Sequence, residues 1–273
     1  MRKALRIILL LFFIGLLFFS SWKLWGFYRG YKQSKDSYNA LDAYVIIEET
    51  VVESAETPPP TEPPAETPEP ESTPAPTPTP DVSAWPQVDF AGLSEINPDI
   101  VGWIYIEGTN INYPVVQTVD NDYYLSHLFD GSYNWLGCIF LDARNAPDLS
   151  DKNSIIYGHH TQDSTMFTAL LKYKEQTFYD EYPHALLVTP DAYYRISFFS
   201  GYVSDTWGDA WDLDFREYEY ISWLNDLRRK SSFEAASFPE KDDKIVTLST
   251  CTYEFASAKF VLHGYISEKI EKN

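Results

Sequence analysis

The chain has 273 residues, 44% of them hydrophobic and 16% aromatic, enough apolar material for a substantial core in one or two domains. Its 21 basic residues stand against 40 acidic ones, for a formal charge of −19. That balance argues against nucleic acid as a partner, because phosphate binding needs a basic face.

Arg2, Lys3 and Arg6 precede the run IILLLFFIGLLFFSSW, and KLWGFY continues it past a single interruption at Lys23. A bilayer core takes about 20 apolar residues, which this stretch approaches when Lys23 snorkels to the interface. No Ala-x-Ala-like cleavage site follows, and the run is longer than a signal-peptide apolar region. Residues 1–35 therefore read as an uncleaved membrane anchor. Arg29, Lys32 and Lys35 beyond the run balance the three basic residues before it, so charge counting leaves the orientation open.

Residues 36–81 read as a stalk. SKDSYNALDAYVIIEETVV is compatible with a short helix and carries no assigned function. Positions 53–80 contain only Glu, Ser, Ala, Thr and Pro, so nothing there buries apolar surface to offset chain entropy. As polyproline II, at about 3.1 Å per residue, this spacer would reach roughly 80 to 90 Å. It either holds a domain well off the membrane or is a tether of no set length.

Residues 82–273 have the composition of a globular domain with a mainly β rhythm. VGWIYIEG, INYPVVQ, LGCIFLDA, NSIIYG, HALLVT, YYRISFFSGYV, KIVTLSTC and KFVLHGYI are short β-branched and aromatic runs separated by turn clusters such as EGTN, DGSYN and TPDA. They predict a closed or nearly closed mixed β-barrel. Helical patterns interrupt it. DFAGLSEI stops at Asn97-Pro98, while NDYYLSHLF and DSTMFTALLKY each open on a capping Asn or Asp. The longest, DFREYEYISWLNDLRRKS, precedes KIVTLSTC and places Tyr220, Trp223, Leu224 and Leu227 on one face.

Cys251 closes the alternating run KIVTLSTC, and a thiol needs a neighbouring base or positive charge to act as a nucleophile at neutral pH. Five histidines are available: His127, His159, His160, His184 and His263. His159 and His160 follow a strand and a glycine in SIIYGHHTQDSTMF, where a rigid element presents a loop. Either ring is a candidate base, and an exposed loop pair is the competing reading. The two cysteines are isolated, and no Cys-x-x-Cys or His-Glu-x-x-His spacing exists, so no metal site is expected. DTWGDAWDLD lacks the glycine at a calcium loop's sharp turn and reads as a solvated loop.

TLSTC with TYEF after it and FVLHG further on resembles the nucleophile strand of the class B sortases, and NSIIYGHH…STMF resembles their catalytic-histidine segment. EINPDIVGWIYIEGTNINYPVVQ, NDYYLSH and IFLDARN are similar to the same family, so the resemblance spans essentially all of residues 88–266. It implies a closed eight-stranded β-barrel with an N-terminal helix and a long helix before the nucleophile strand, outside the cell on a single-pass anchor in a Gram-positive membrane. It also implies a transpeptidase that cuts a sorting motif of the Asn-Pro-x-Thr-x type after Thr. The implied partners are secreted proteins bearing that motif at their C-termini and an acceptor amine from a peptidoglycan precursor or a pilin; no cofactor is implied.

By the match of motifs, Cys251 forms a thioester with the Thr carbonyl and His159, which directly follows the glycine of YGH, protonates the departing amine. The next family position is commonly Asn, and here it is His160. Lys259 stands where the family carries an arginine that holds substrate and stabilises the oxyanion; lysine keeps the charge and loses the planar fork of donors. Ser249 shares a strand face with Cys251, so Ser249 and Thr250 are candidate substrate-binding residues or small residues fitted to a crowded strand. The alternatives are a sorting-peptide binder with impaired turnover and a thiol hydrolase. Cys138, in LGCIFLDA, reads as a buried core thiol. A disulfide with Cys251 is also chemically permitted outside the cell.

Overall fold

The computed structural model describes residues 2–47, 85–206 and 208–272. The Pro-rich spacer at 53–80 lies outside the described residues.

Helix α1 (Arg2–Leu41) carries the apolar run, whose residues from Leu5 to Tyr28 include a long series of exposed Leu, Ile and Phe side chains. It is the one described helix long and apolar enough to cross a membrane. The helix continues past residue 35, and its last turns settle on the folded domain, where Ser34 and Leu41 are buried. A 3-10 turn at Asp42–Tyr44 leads into β1 (Val45–Ile46), which pairs antiparallel with β2 (Gln87–Val88). Asp89 caps α2 (Phe90–Ile96) by accepting from the Gly92 amide at 3.0 Å, and Asn97 ends it in extended conformation before Pro98, as the sequence predicts.

Eight strands then close the barrel: β3 (Ile100–Tyr105), β4 (Asn112–Val116), β5 (Ile139–Leu141), β6 (Asn153–Tyr157), β7 (His184–Val188), β8 (Ala192–Ser204), β9 (Ile245–Cys251) and β10 (Lys259–Glu271). Their order around the wall is β10, β8, β7, β3, β4, β5, β6, β9. The sheet is mixed, because β4 with β5 and β6 with β9 are parallel pairs. Side chains inside the barrel include Ile104, Val115, Ile156, Phe198, Leu248 and Phe260, all at or below 2% exposure. Each such burial is worth about 1.5–3 kcal/mol.

The helical readings of the sequence fare unevenly. Helix α3 (Gln176–Glu181) was not anticipated, whereas α4 (Glu217–Lys230) buries Tyr220, Trp223, Leu224 and Leu227 against Phe199, Ile245 and Val261 on the outside of the barrel. NDYYLSHLF forms only a 3-10 turn at Tyr123–Leu125. DSTMFTALLKY is 3-10 over Phe167–Lys174, and Asp163 closes a local turn on the Thr165 hydroxyl instead of capping a helix. The cause is tertiary. Met166 bridges to His160 and the Phe167 amide bonds the His159 carbonyl at 3.0 Å, which pulls the chain back to the histidine loop before an α-turn can start.

Candidate active site

Two parallel neighbours deliver the two predicted catalytic side chains to the same rim. In the β6–β9 register Tyr157 lies opposite Ser249, so the chain two residues beyond each brings His159 level with Cys251. The Gly158 amide extends the ladder by donating to the Ser249 carbonyl at 3.1 Å. A Cβ at Gly158 would stand 2.5 Å from Ile139 and 2.6 Å from Phe167, so the glycine of YGH is what lets the histidine loop pass over the core. On the other side β10 runs antiparallel to β9 with Lys259 opposite Cys251.

Strand alternation decides which of these residues share a face. Val246 and Leu248 belong to the barrel interior, while Ile245 lies under α4, so Ser249 and Cys251 point outward. There they border a cleft of about 240 Å³ together with His159, Lys259, Leu125 and Phe140. Thr250, on the opposite face, also reaches the cleft wall, and its hydroxyl is buried with no hydrogen-bond partner among the described residues. Cys251 is half-buried, and the Lys259 ammonium donates to its Sγ at 3.0 Å. A cation in that position is placed to stabilise an oxygen that becomes negative on any carbonyl joined to the sulfur.

His159 is oriented from below. Its Nε2 donates to the Leu125 carbonyl at 2.9 Å, which leaves Nδ1 as the ring nitrogen free to exchange a proton. Gly137, at φ +61°, keeps that ring close: a Cβ there would be 3.0 Å from His159 Cδ2 and 2.5 Å from the Tyr124 carbonyl. His160 has a different function. Its Nδ1 donates to the Cys251 carbonyl at 3.0 Å and its ring lies 5.0 Å from that of Tyr253, so it braces the backbone of the strand end.

The other three histidines lie elsewhere. His263 is fully buried beside Tyr202 and Trp223, bonded through Nδ1 to Thr247, and burial pushes it down to about 3, so it is a neutral core residue. His127 stacks on Tyr123, and His184 bonds Ser197. Both cysteines are free; Cys138 is 1% exposed, and burial pushes its thiol up to about 12.

Several members of the site were missed. Asn121 and Leu125 come from the segment read as a helix, Asn121 from the bend before its 3-10 turn, and Asn121 accepts from the Ala143 amide at 2.7 Å. The acidic segment read as a solvated loop is partly packed: Ala210 is fully buried, Asn153 donates to the Ala210 and Asp212 carbonyls, and the Trp211 indole donates to Ser249 Oγ at 3.3 Å. A tryptophan amid carboxylates was the available signal. Behind the cleft, the fully buried Asp142 accepts from Arg144 at 2.8 and 2.9 Å and from the Tyr157 hydroxyl at 2.9 Å. Burial alone would raise the Asp142 carboxyl, but these bonds outweigh it and hold it below the usual range.

The chain is 38% identical to Sortase B of Staphylococcus aureus over 165 residues, which are 59% of this chain and 67% of that one. It is 33% identical to Sortase B of Listeria monocytogenes over 180 residues, 65% of this chain and 73% of the relative. Among solved structures, a Staphylococcus aureus sortase B–substrate complex superposes with a TM-score of 0.63 at 34% identity, covering 67% of this chain and 85% of its own. Sortase B of Clostridium perfringens superposes at 0.62 with 32% identity, covering 67% and 100%. No family model matches.

Proposed function

The chain belongs to the class B sortases, a family of transpeptidases, and from that premise we propose that Cys251, His159 and Lys259 form its catalytic set. The observation that carries the assignment is the meeting of three strand ends: the thiol of β9, the ammonium of β10 at 3.0 Å from it, and the imidazole that follows β6 in the same cleft.

In this reading Cys251 Sγ passes its proton to Nδ1 of His159 and attacks the carbonyl carbon of Thr in an Asn-Pro-x-Thr-x sorting motif, and Lys259 faces the oxygen as it becomes negative. The Thr–x amide C–N bond breaks, and the departing amine takes a proton from His159, leaving a thioester on sulfur. An acceptor amine, from a peptidoglycan precursor or a pilin lysine, then attacks the thioester carbon and gives its proton to His159 as the C–S bond breaks. One amide is exchanged for another, and sulfur and imidazole return to their starting states.

Ser249 and Thr250 would line the peptide's path. The Ser249 hydroxyl, already engaged by Trp211, would offer its remaining hydrogen-bonding capacity to the peptide, and Thr250 would form part of the wall beside it. Helix α1 would anchor the enzyme in the cell membrane with the barrel on the outer side, facing secreted substrates.

The test is cleavage of fluorogenic Asn-Pro-x-Thr peptides, with and without amine acceptors, by wild type, Cys251→Ala and His159→Ala. Loss of activity in both variants, with acceptor-dependent product in wild type, is the expected result. Cleavage that survives Cys251→Ala overturns the mechanism. Hydrolysis that no amine diverts identifies a thiol hydrolase. Peptide binding without turnover in wild type supports a binder, the reading that lysine in the arginine position favours.

A further inference from the structure

The short β1–β2 ladder changes what the Pro-rich spacer can do. Val45 pairs with Val88 and Ile46 with Gln87, and the Asp89 amide bonds the Tyr44 carbonyl at 2.9 Å. The chain therefore leaves this ladder at Ile46 and re-enters it at Gln87, directly opposite. A segment whose two ends meet in one ladder adds nothing to the distance between the anchor and the barrel, whatever its own conformation.

That distance is set by α1, which is itself docked. The loop Asp130–Trp135 runs along the helix in the opposite direction. Asp130 accepts from Ser37 at 3.4 Å, Ser132 from Gln33 at 3.1 Å, and Asn134 donates to the Gly30 carbonyl at 2.8 Å. Trp135 comes last, edge-on to Tyr31 at 5.0 Å and to Phe27 at 5.9 Å. Counting about 20 residues from Ala4 for the hydrocarbon core ends the span near Lys23, whose ammonium lies 5.9 Å from the Trp22 ring. From Lys23 the helix rises about 6 Å to Phe27 and about 12 Å to Tyr31 at about 1.5 Å per residue, and the Trp135 ring lies between these two levels, at the outer side of a headgroup layer about 5–7.5 Å deep. Trp135 is thus brought to the membrane–water interface, the level at which tryptophan and tyrosine are enriched, and the neighbouring Tyr133 is 72% exposed.

We propose that the barrel sits directly on the bilayer surface through its 130–135 loop, with Trp135 at the outer edge of the headgroup layer, and that the Pro-rich segment does not set its height. The proposal rests on reading α1 as the membrane anchor.

Full-length chain in phosphatidylethanolamine–phosphatidylglycerol vesicles tests it. A donor fluorophore on Cys251, the more accessible of the two thiols, reports energy transfer to headgroup-labelled acceptor lipid. Three chains are compared: wild type, one lacking residues 50–82, and one in which residues 53–80 are duplicated. In the deletion, residues 47–49 and 83–86 close the turn, and the duplication keeps the fold available should the deletion not fold. Equal transfer across the folded chains is expected. A stand-off stalk would instead change the height by tens of Å, at about 3.1 Å per residue, lowering transfer in the duplicated chain and raising it in the deleted one. Flotation with the vesicles but a height that follows spacer length overturns this proposal alone. Failure to float with the vesicles overturns the anchor reading and this proposal with it.

Discussion

Replacing Lys259 by glutamine keeps most of the side chain's volume and removes its charge. In the structure that charge lies 3.0 Å from Cys251 Sγ in a half-buried cleft. Coulomb's law at that separation gives about 1.4 kcal/mol in bulk water and about 5.5 kcal/mol at an effective dielectric constant of about 20. Loss of one well-placed oxyanion donor, at about 2.7–4 kcal/mol, falls inside that bracket. At about 1.36 kcal/mol per decade, Lys259→Gln should lower kcat/KM for peptide cleavage by about a hundred- to a thousandfold. Lys259→Arg keeps the charge and should stay far closer to wild type, and its direction shows whether the cleft is fitted to an ammonium or to a fork of donors. Steady-state kinetics on a fluorogenic sorting peptide, with thermal melts to confirm folding, make the measurement. A folded Lys259→Gln enzyme that keeps more than about a fifth of wild-type kcat/KM would refute the reasoning, because the ammonium would then stabilise no charge that develops during the reaction.

Three further outcomes are expected. His160→Ala removes the donor to the Cys251 carbonyl and should cost about 0.5–1.5 kcal/mol, a two- to tenfold loss in kcat, whereas His160→Asn, which can still donate, should recover most of it. Titration with an aromatic disulfide should find one reactive thiol in the folded protein and two in denaturant, because Cys138 is buried and its thiol is pushed up to about 12; two fast thiols under native conditions would contradict the packing. Asp142 is held below its unfolded value, so its contribution to stability is present above about pH 4 and is lost as pH falls through the lowered folded value. Asp142→Asn should therefore destabilise at neutral pH by about 1.5–3 kcal/mol and flatten the acid limb of a melting-temperature profile; an unchanged acid limb would place the acid sensitivity elsewhere.

Local pattern alone identified the apolar N-terminal run, the eight strand segments and the buried face of α4, because each depends on the period of side chains along a single element. It also placed Ser249 and Cys251 on one face, since alternation in a strand is local, and singled out the histidine pair through the glycine and strand before it. Tertiary structure decided the rest. The level meeting of His159 and Cys251 depends on the parallel register of β6 with β9, about 90 residues apart in the chain, which no periodicity encodes. The 3-10 turns at Tyr123–Leu125 and Phe167–Lys174 replace predicted helices because their carbonyls and amides are claimed by the histidine loop, and a long-range bond overrides a local capping preference. Composition showed a proline-rich segment with nothing to bury, but only the pairing of Val45 with Val88 brings its two ends together. Which residues face inward is written along the chain; which strand ends meet is settled only when the barrel closes.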